Sequence, residues 1–385
     1  MSRFARLLPI LVVLLGCVCL PSCVDLEGND GGDDFRTDDD TDDDSPYPQY
    51  LVIGGGLSET LSVLRIEEGP VFTLFNNTAP TGNSINDTVV VGDLLFAVCS
   101  LSNSVVVYDQ DLDVRREVSV GAGANPMNIA FVDDHHAWVT ALQTNDLRLL
   151  DLAAGTPNAE RLQRVVALPS GDELPKDPGV DASWARPNDV AAINDRLYVA
   201  VTNLDAGHTA AGPSLVAVLD AASGEWRRTI TLTGRNAVGL AWDEARGWLW
   251  ALSAGSYEGG GYDYAGKMEA IDPAVDEVVK VIDVDGAPIE GLIVGDLAYL
   301  TNAADGRLTV VDVAAEEQLD FIDLRFHTDA GGLSFVSALA MGAGGLLYAT
   351  DFNSDYLYVI DPAQDHTVIY ETLVNDGPDT LVFLP

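Results

Sequence analysis

The chain has 385 residues, with 60 acidic against 20 basic side chains and a formal net charge of −40. No basic groove is available at that balance. Nucleic acid is therefore excluded as a partner, and an anionic membrane surface would repel the body of the protein. No C-x-x-C-H is present, which rules out covalently attached haem.

In chain order, residues 1–23 read as a secretory signal. Arg3 and Arg6 supply the positive start, and Leu7 to Leu20 is an apolar run of 14 residues, short for a membrane span. The run ends in LPSC, which resembles the bacterial lipoprotein cleavage box and makes Cys23 the expected lipidated N-terminus. LLGC at Cys17 is the competing box, but it would leave an apolar VCL outside. Residues 24–46 follow as an acidic tether. Between 24 and 45 there are eleven acids and one Arg, net −10. Like charges at this density repel, so a disordered spacer is expected. No EF-hand pattern marks it as a calcium module. The expected address is the bacterial cell envelope, outer membrane or cell surface, with membrane contact through the N-terminal lipid only and a monomeric body.

Residues 47–385 repeat one unit. An apolar run closed by Asp recurs at Asp109, Asp151, Asp220, Asp272, Asp312 and Asp361, with a seventh copy, LSVLR, ending at Arg65; the spacings are 44, 42, 69, 52, 40 and 49. Around Val294 to Leu324 the unit resolves into short apolar runs, IEGLIV, LAYLT, LTVVD and LDFID, separated by turn residues. Four short strands per forty to fifty residues predict a β-propeller, because one four-stranded sheet cannot bury both faces alone.

The innermost strand of each unit carries its own signature: INDTVVV, NPMNIAFV, RPNDVAAI, NAVGLAW, APIEGLIV and FVSALAM. One more copy, GPDTLVFL, stands at the C-terminus with nothing after it, while the N-terminal unit at Tyr50 lacks a first strand. The expected fold class is therefore all-β: a seven-bladed β-propeller of four-stranded antiparallel blades, closed by the C-terminal strand joining the N-terminal blade. Such closure removes open sheet edges.

AYLTN at Ala298 to Asn302, YVAVTN at Tyr198 to Asn203 and AWVTA at Ala137 to Ala141 resemble the YVTN-type β-propeller repeat, as does the whole stretch from Val120 to Leu152. The resemblance covers nearly all of the chain after the tether. It implies the propeller and an exported protein, since members include secreted surface proteins and periplasmic binding proteins. It does not imply a particular ligand. Arg65 at an Asp position and several long insertions depart from the pattern.

Four insertions fall on loops that a propeller places on one face. They are residues 170–185 between blades three and four, 204–213 within blade four, 254–266 within blade five and 326–333 between blades six and seven. Scaffolded loops of this kind carry binding. The candidate surface comprises Trp184, Arg186, Asn188, Asn203, His208, Tyr257, Tyr262, Tyr264, His327 and Asp329. The partner expected there is a protein or small-molecule ligand at the envelope. The opposite face is mostly short hairpins, apart from residues 153–160, and it holds the turn DDHHAW with His135 and His136 beside Asp133 and Asp134. That turn is read as solvated rather than metal-bound.

Catalytic motifs are missing from the sequence: no G-x-S-x-G, H-E-x-x-H or Walker loop occurs. The reading is a non-catalytic binding or scaffold protein with no cofactor. The enzymatic alternative is a divalent-metal-dependent propeller hydrolase of the lactonase kind. Its site would lie at the central channel, with Ca2+ held by Asn125, Asn188, Asp189, Asn236, Glu290 and Asp379. Against it, the same residues are expected to satisfy backbone groups at strand ends. Cys99 in LLFAVCSL is expected to be a buried small apolar residue.

Overall fold

The computed structural model describes Phe35 and residues 47–68, 71–258, 261–303, 305–327 and 334–385. The signal segment, Cys23 and the tether apart from Phe35 lie outside the described residues. The fold class is the expected one, a seven-bladed β-propeller of four-stranded antiparallel sheets. No α-helix occurs among the described residues.

Blade 1 closes the chain on itself. Its order runs Val71–Pro80, Thr60–Glu67, Gln49–Gly55 and then Pro378–Leu384. The last strand pairs with the first in the register Tyr50↔Leu384, Val52↔Val382 and Gly54↔Thr380. Blades 2 to 7 each lie in sequence order and span 85–119, 126–167, 187–231, 237–285, 288–323 and 336–373.

The chain divides into two compact units, residues 1–125 with 340–385, and residues 126–339. In the first unit one apolar cluster gathers Tyr50, Val63, Leu95, Val106, Tyr108 and Leu384, and another gathers Ile53, Leu64, Tyr348, Leu357 and Val359. Phe35 joins the first of these. It is 3% exposed, with its ring 5.5 Å from that of Tyr50 and 6.5 Å from that of Phe75. This one residue departs from the expectation of a wholly solvated spacer, because an aromatic ring recovers more by leaving water than the local charge repulsion opposes. In the second unit Trp138 is fully buried among Leu147, Val199, Ala217 and Leu219, and its indole N–H donates to the Ala221 carbonyl at 2.8 Å.

Two local devices explain the repeat. The Asp that closes each third strand caps the following hairpin: the carboxylates of Asp109, Asp151, Asp220, Asp272, Asp312 and Asp361 each accept from a backbone N–H two residues on. This is the turn chemistry that favours Asp there. The apolar runs are middle strands buried on both faces, as in Ser104–Tyr108, whereas the outer strand Val114–Ser119 is mostly exposed and charged.

Candidate functional site

Three of the four insertions lie largely among the described residues, all in the unit 126–339, and they are stitched together. Antiparallel bridges join Ser170 to Trp184, Trp184 to Leu204, and Leu204 to Ala210. The Trp184 N–H donates to Leu204 O at 2.8 Å and the Leu204 N–H returns to Trp184 O at 3.0 Å. Asp177 N donates to Ala211 O at 2.8 Å, tying the first insertion to the second. The Arg235 guanidinium reaches Asp177 at 2.6 Å, and its carbonyl accepts from Gly255 N at 3.1 Å, at the base of the third. That third insertion is a small hairpin in which Tyr257 pairs with Tyr262. It is shaped by the Asp263 carboxylate, which accepts from Ser256 N and Ala265 N.

The Trp184 and Arg186 side chains come together. The Arg186 guanidinium carbon lies 5.7 Å from the centre of the Trp184 ring. Arg186 stands at φ +52°, in the left-handed region, where the matching positions of other blades hold Asn125 at +51° and Asn236 at +56°. Asparagine adopts this conformation readily and arginine does not. The position is enforced from outside: Arg186 N donates to Asn145 Oδ1 at 2.7 Å, and Nη1 donates to the carbonyls of Leu142 at 3.2 Å and Gln143 at 2.9 Å.

The electrostatics are unusual. Arg186 is 9% exposed, its Nε is enclosed without a partner, and no carboxylate among the described residues pairs with it. Burial pulls its pKa below the ordinary arginine value. His208 stands at φ +61° in a turn held by the Asp205 carboxylate, which accepts from Gly207 N at 2.8 Å and Thr209 N at 3.0 Å. Its Nδ1 is enclosed and unpartnered. Burial pulls the imidazole down, the positive charge of Arg186 adds to that, and Asp205 opposes it. Ser183 Oγ and Asn203 Oδ1 are also enclosed and unpartnered. Buried polar groups normally have partners, and a concentration of unsatisfied ones asks for water, an ion or a ligand.

Other expected site residues have different placements. Asn203 is fully buried and its amide donates to Pro175 O and Pro213 O, both at 2.8 Å, so it holds the loops rather than facing outward. Asn188 belongs to a bulge at the start of the innermost strand Pro187–Ile193. Tyr257 is half-buried on the third insertion and Tyr264 is exposed there. Tyr262 contributes its backbone pairing, and its side chain is outside the description. His327 sits in its own short turn, Arg325–His327, after blade 6. Asp329 lies outside the described residues.

The proposed cation ligands are drawn into backbone stitching. Asp189 Oδ2 accepts from Leu240 N of the next blade at 2.7 Å and its Oδ1 from Val190 N at 2.6 Å; Glu290 Oε1 accepts from Leu339 N at 3.3 Å. Asn125 and Asn236 occupy the left-handed positions already described. Asp379 is half-buried as a residue, but its carboxyl has lost enough water that burial pushes it up to about 7.

The fold has many solved counterparts. The Kuenenia stuttgartiensis hydrazine synthase matches with a TM-score of 0.57 at 15% identity, over 75% of this chain and 86% of that one. The apo AztD of Citrobacter koseri matches at 0.51 and 15%, over 87% and 97%. The Dos1 propeller matches at 0.57 and 12%, over 85% and 81%. At these identities the likeness is one of fold alone. No protein-family model matches the chain, and no curated protein does.

Sequence reasoning singled out Trp184, Arg186 and His208 by type and loop. It missed the roles of Asn145 and Asp205, which set the geometry; the recurrence of Asn just ahead of the third strand, at Asn103 and Asn145, was the available signal for Asn145, since Asn103 Oδ1 holds Asn125 N in the same way.

Proposed function

We propose that this chain is an exported, lipid-anchored binding propeller of the YVTN-repeat kind, which captures a ligand or partner by a carboxylate or comparable anion at Arg186 and His208. One observation carries the reading: Arg186 is a buried cation whose Nε has no partner and which no carboxylate among the described residues reaches, in a chain of net charge −40. Several arginines of the same unit pair with one, as in Arg148–Asp146, Arg196–Asp276 and Arg246–Asp243; Arg161, equally buried, instead has its Nε satisfied by Asn158 Oδ1 and its Nη1 by two carbonyls, whereas the Nε of Arg186 has no partner. An uncompensated buried charge costs several kcal/mol, and two carbonyl acceptors offset only part of that. An incoming carboxylate restores the balance, with the unpartnered His208 Nδ1 as a second contact and the Trp184 ring as apolar wall. The anchor at Cys23 and the acidic spacer would hold the body off a membrane.

The test is a titration followed by tryptophan fluorescence, using small carboxylates and an acidic peptide against their neutral amides. Binding is expected for the acids and lost in Arg186→Gln, which removes the charge yet keeps a donor for the Leu142 and Gln143 carbonyls. Acids binding Arg186→Gln as well as wild type would end the proposal. The anchor is tested separately, by whether Cys23→Ser frees the protein from membranes.

A further inference from the structure

The turn between the first two strands of blade 3 holds a cluster unrelated to the loops above. His135 lies in the turn and His136 opens the strand His136–Ala141. Neighbouring residues of a regular strand project to opposite faces. Here the turn breaks that alternation, and both rings lean on one carboxylate. His136 Nδ1 is 2.8 Å from Asp133 Oδ2 and His135 Nδ1 is 3.7 Å from Asp133 Oδ1. The two ring centres are 4.5 Å apart. One donor atom from each of the three residues falls within 4.8 Å of the others.

A turn that needed only capping would need only half of this. Asp133 Oδ1 already accepts from His135 N at 2.9 Å and His136 N at 2.7 Å, and these bonds fix the carboxylate in place. Burial works against its ionisation, yet those N–H groups and the His136 ring hold Asp133 down to about 2. The turn accounts for the carboxylate, not for two imidazoles converging on it. Asp134 adjoins the cluster, and Asp151 pairs across the strands with His136. The Asp151 oxygens are engaged by Ala153 N at 2.9 Å and Thr156 Oγ1 at 2.8 Å, so it contributes field rather than a ligand.

We propose that Asp133, His135 and His136 form a surface site for one divalent first-row transition ion, with two imidazoles and one carboxylate as protein ligands and water completing the sphere. Metal–ligand bonds of about 2.0–2.2 Å put donors of one sphere roughly 3–4 Å apart; here the two nitrogen–oxygen separations are 2.8 and 3.7 Å and all three donors lie within 4.8 Å, so small side-chain rotations close the sphere. The nitrogen donors choose the metal. Imidazole suits Zn2+, Ni2+ and Cu2+, whereas Ca2+ and Mg2+ want a shell of oxygens. The site is independent of Arg186 and stands whatever that residue binds.

The experiment is calorimetric titration of Ni2+ and Zn2+ into the full chain in detergent, without a histidine tag and with Cys17, Cys19 and Cys23 changed to Ser so that thiolates do not compete. Millimolar Mg2+ in the buffer saturates diffuse attraction to the acidic surface. One equivalent is expected to bind with micromolar affinity, weakened by more than about tenfold in the double variant His135→Gln, His136→Gln. Thermal melts of that variant, expected to match wild type, confirm that it is folded. Asp133→Asn should weaken binding less, since it retains one oxygen donor. Three results overturn the proposal: no stoichiometric binding, full competition by Mg2+, or unchanged affinity in the double variant.

Discussion

Closure of blade 1 predicts an energetic coupling between two residues far apart in sequence. Gly54 lies opposite Thr380 in the pairing of the first and last strands. A Cβ at Gly54 would land against Thr380 Oγ1, with Ile85 Cδ1 only 2.8 Å away. Replacing a strand glycine by alanine normally stabilises by about 0.4–1 kcal/mol through the unfolded chain. Here the overlap reverses the sign, and Gly54→Ala is expected to cost about 1–3 kcal/mol. Thr380→Ala alone is expected to be nearly neutral. Its hydroxyl is enclosed without a partner, so relief of that penalty offsets the lost methyl packing. With Oγ1 gone the new methyl meets mainly the movable end of Ile85, so the double variant recovers most of the loss. Equilibrium urea unfolding of the four proteins reads the coupling, expected at about 1–2 kcal/mol. Additivity within about 0.5 kcal/mol would refute the strand closure as drawn, because residues that do not touch have no reason to couple.

Asp379 supplies a pH test. Its carboxyl is raised to about 7, so the wild-type chain loses stability as pH rises from the ordinary carboxylate value of about 4 through that point. Asp379→Asn should therefore be more stable than wild type above about pH 7 but not at about pH 4, and parallel melting curves at both would contradict the burial argument. At the alkaline end, burial pushes the Cys99 thiol up to about 11 against a weaker pull from Thr81, and pushes Tyr198 up to about 12 with help from the Asp276 carboxylate. These raised groups favour the fold at lower pH, and that contribution is lost as pH climbs through them, with Cys99→Ser removing the earlier part. Native Cys99 should also resist thiol reagents until the chain unfolds; rapid labelling of folded protein would count against its placement. Phe35→Ala should free the acidic segment, so limited proteolysis ahead of residue 47 speeds up while the main melt moves little. An unchanged cleavage rate would mean that the ring is not the fastening.

Blade number, strand order and the closing strand were legible because each depends on a local pattern. Runs buried on both faces are continuously apolar, the capping Asp must stand where a hairpin begins, and the innermost-strand signature at Pro378–Leu384 matches the one unit that lacks such a strand, with which it pairs. The loops on which Trp184, Arg186 and His208 sit were legible for the same reason, as interruptions of a regular period. Their chemistry was not. The sequence contains 60 acids, and nothing in it says that none of them among the described residues reaches Arg186. Nor does it say that Asn203 turns inward to hold two prolyl carbonyls. The turn at His135 and His136 is exposed, and only the fold shows that both rings are set against Asp133. Periodicity is written along the chain, because burial repeats with the strands. Whether a polar group has a partner is decided across the chain, by distances of a few ångströms between residues that only folding brings together.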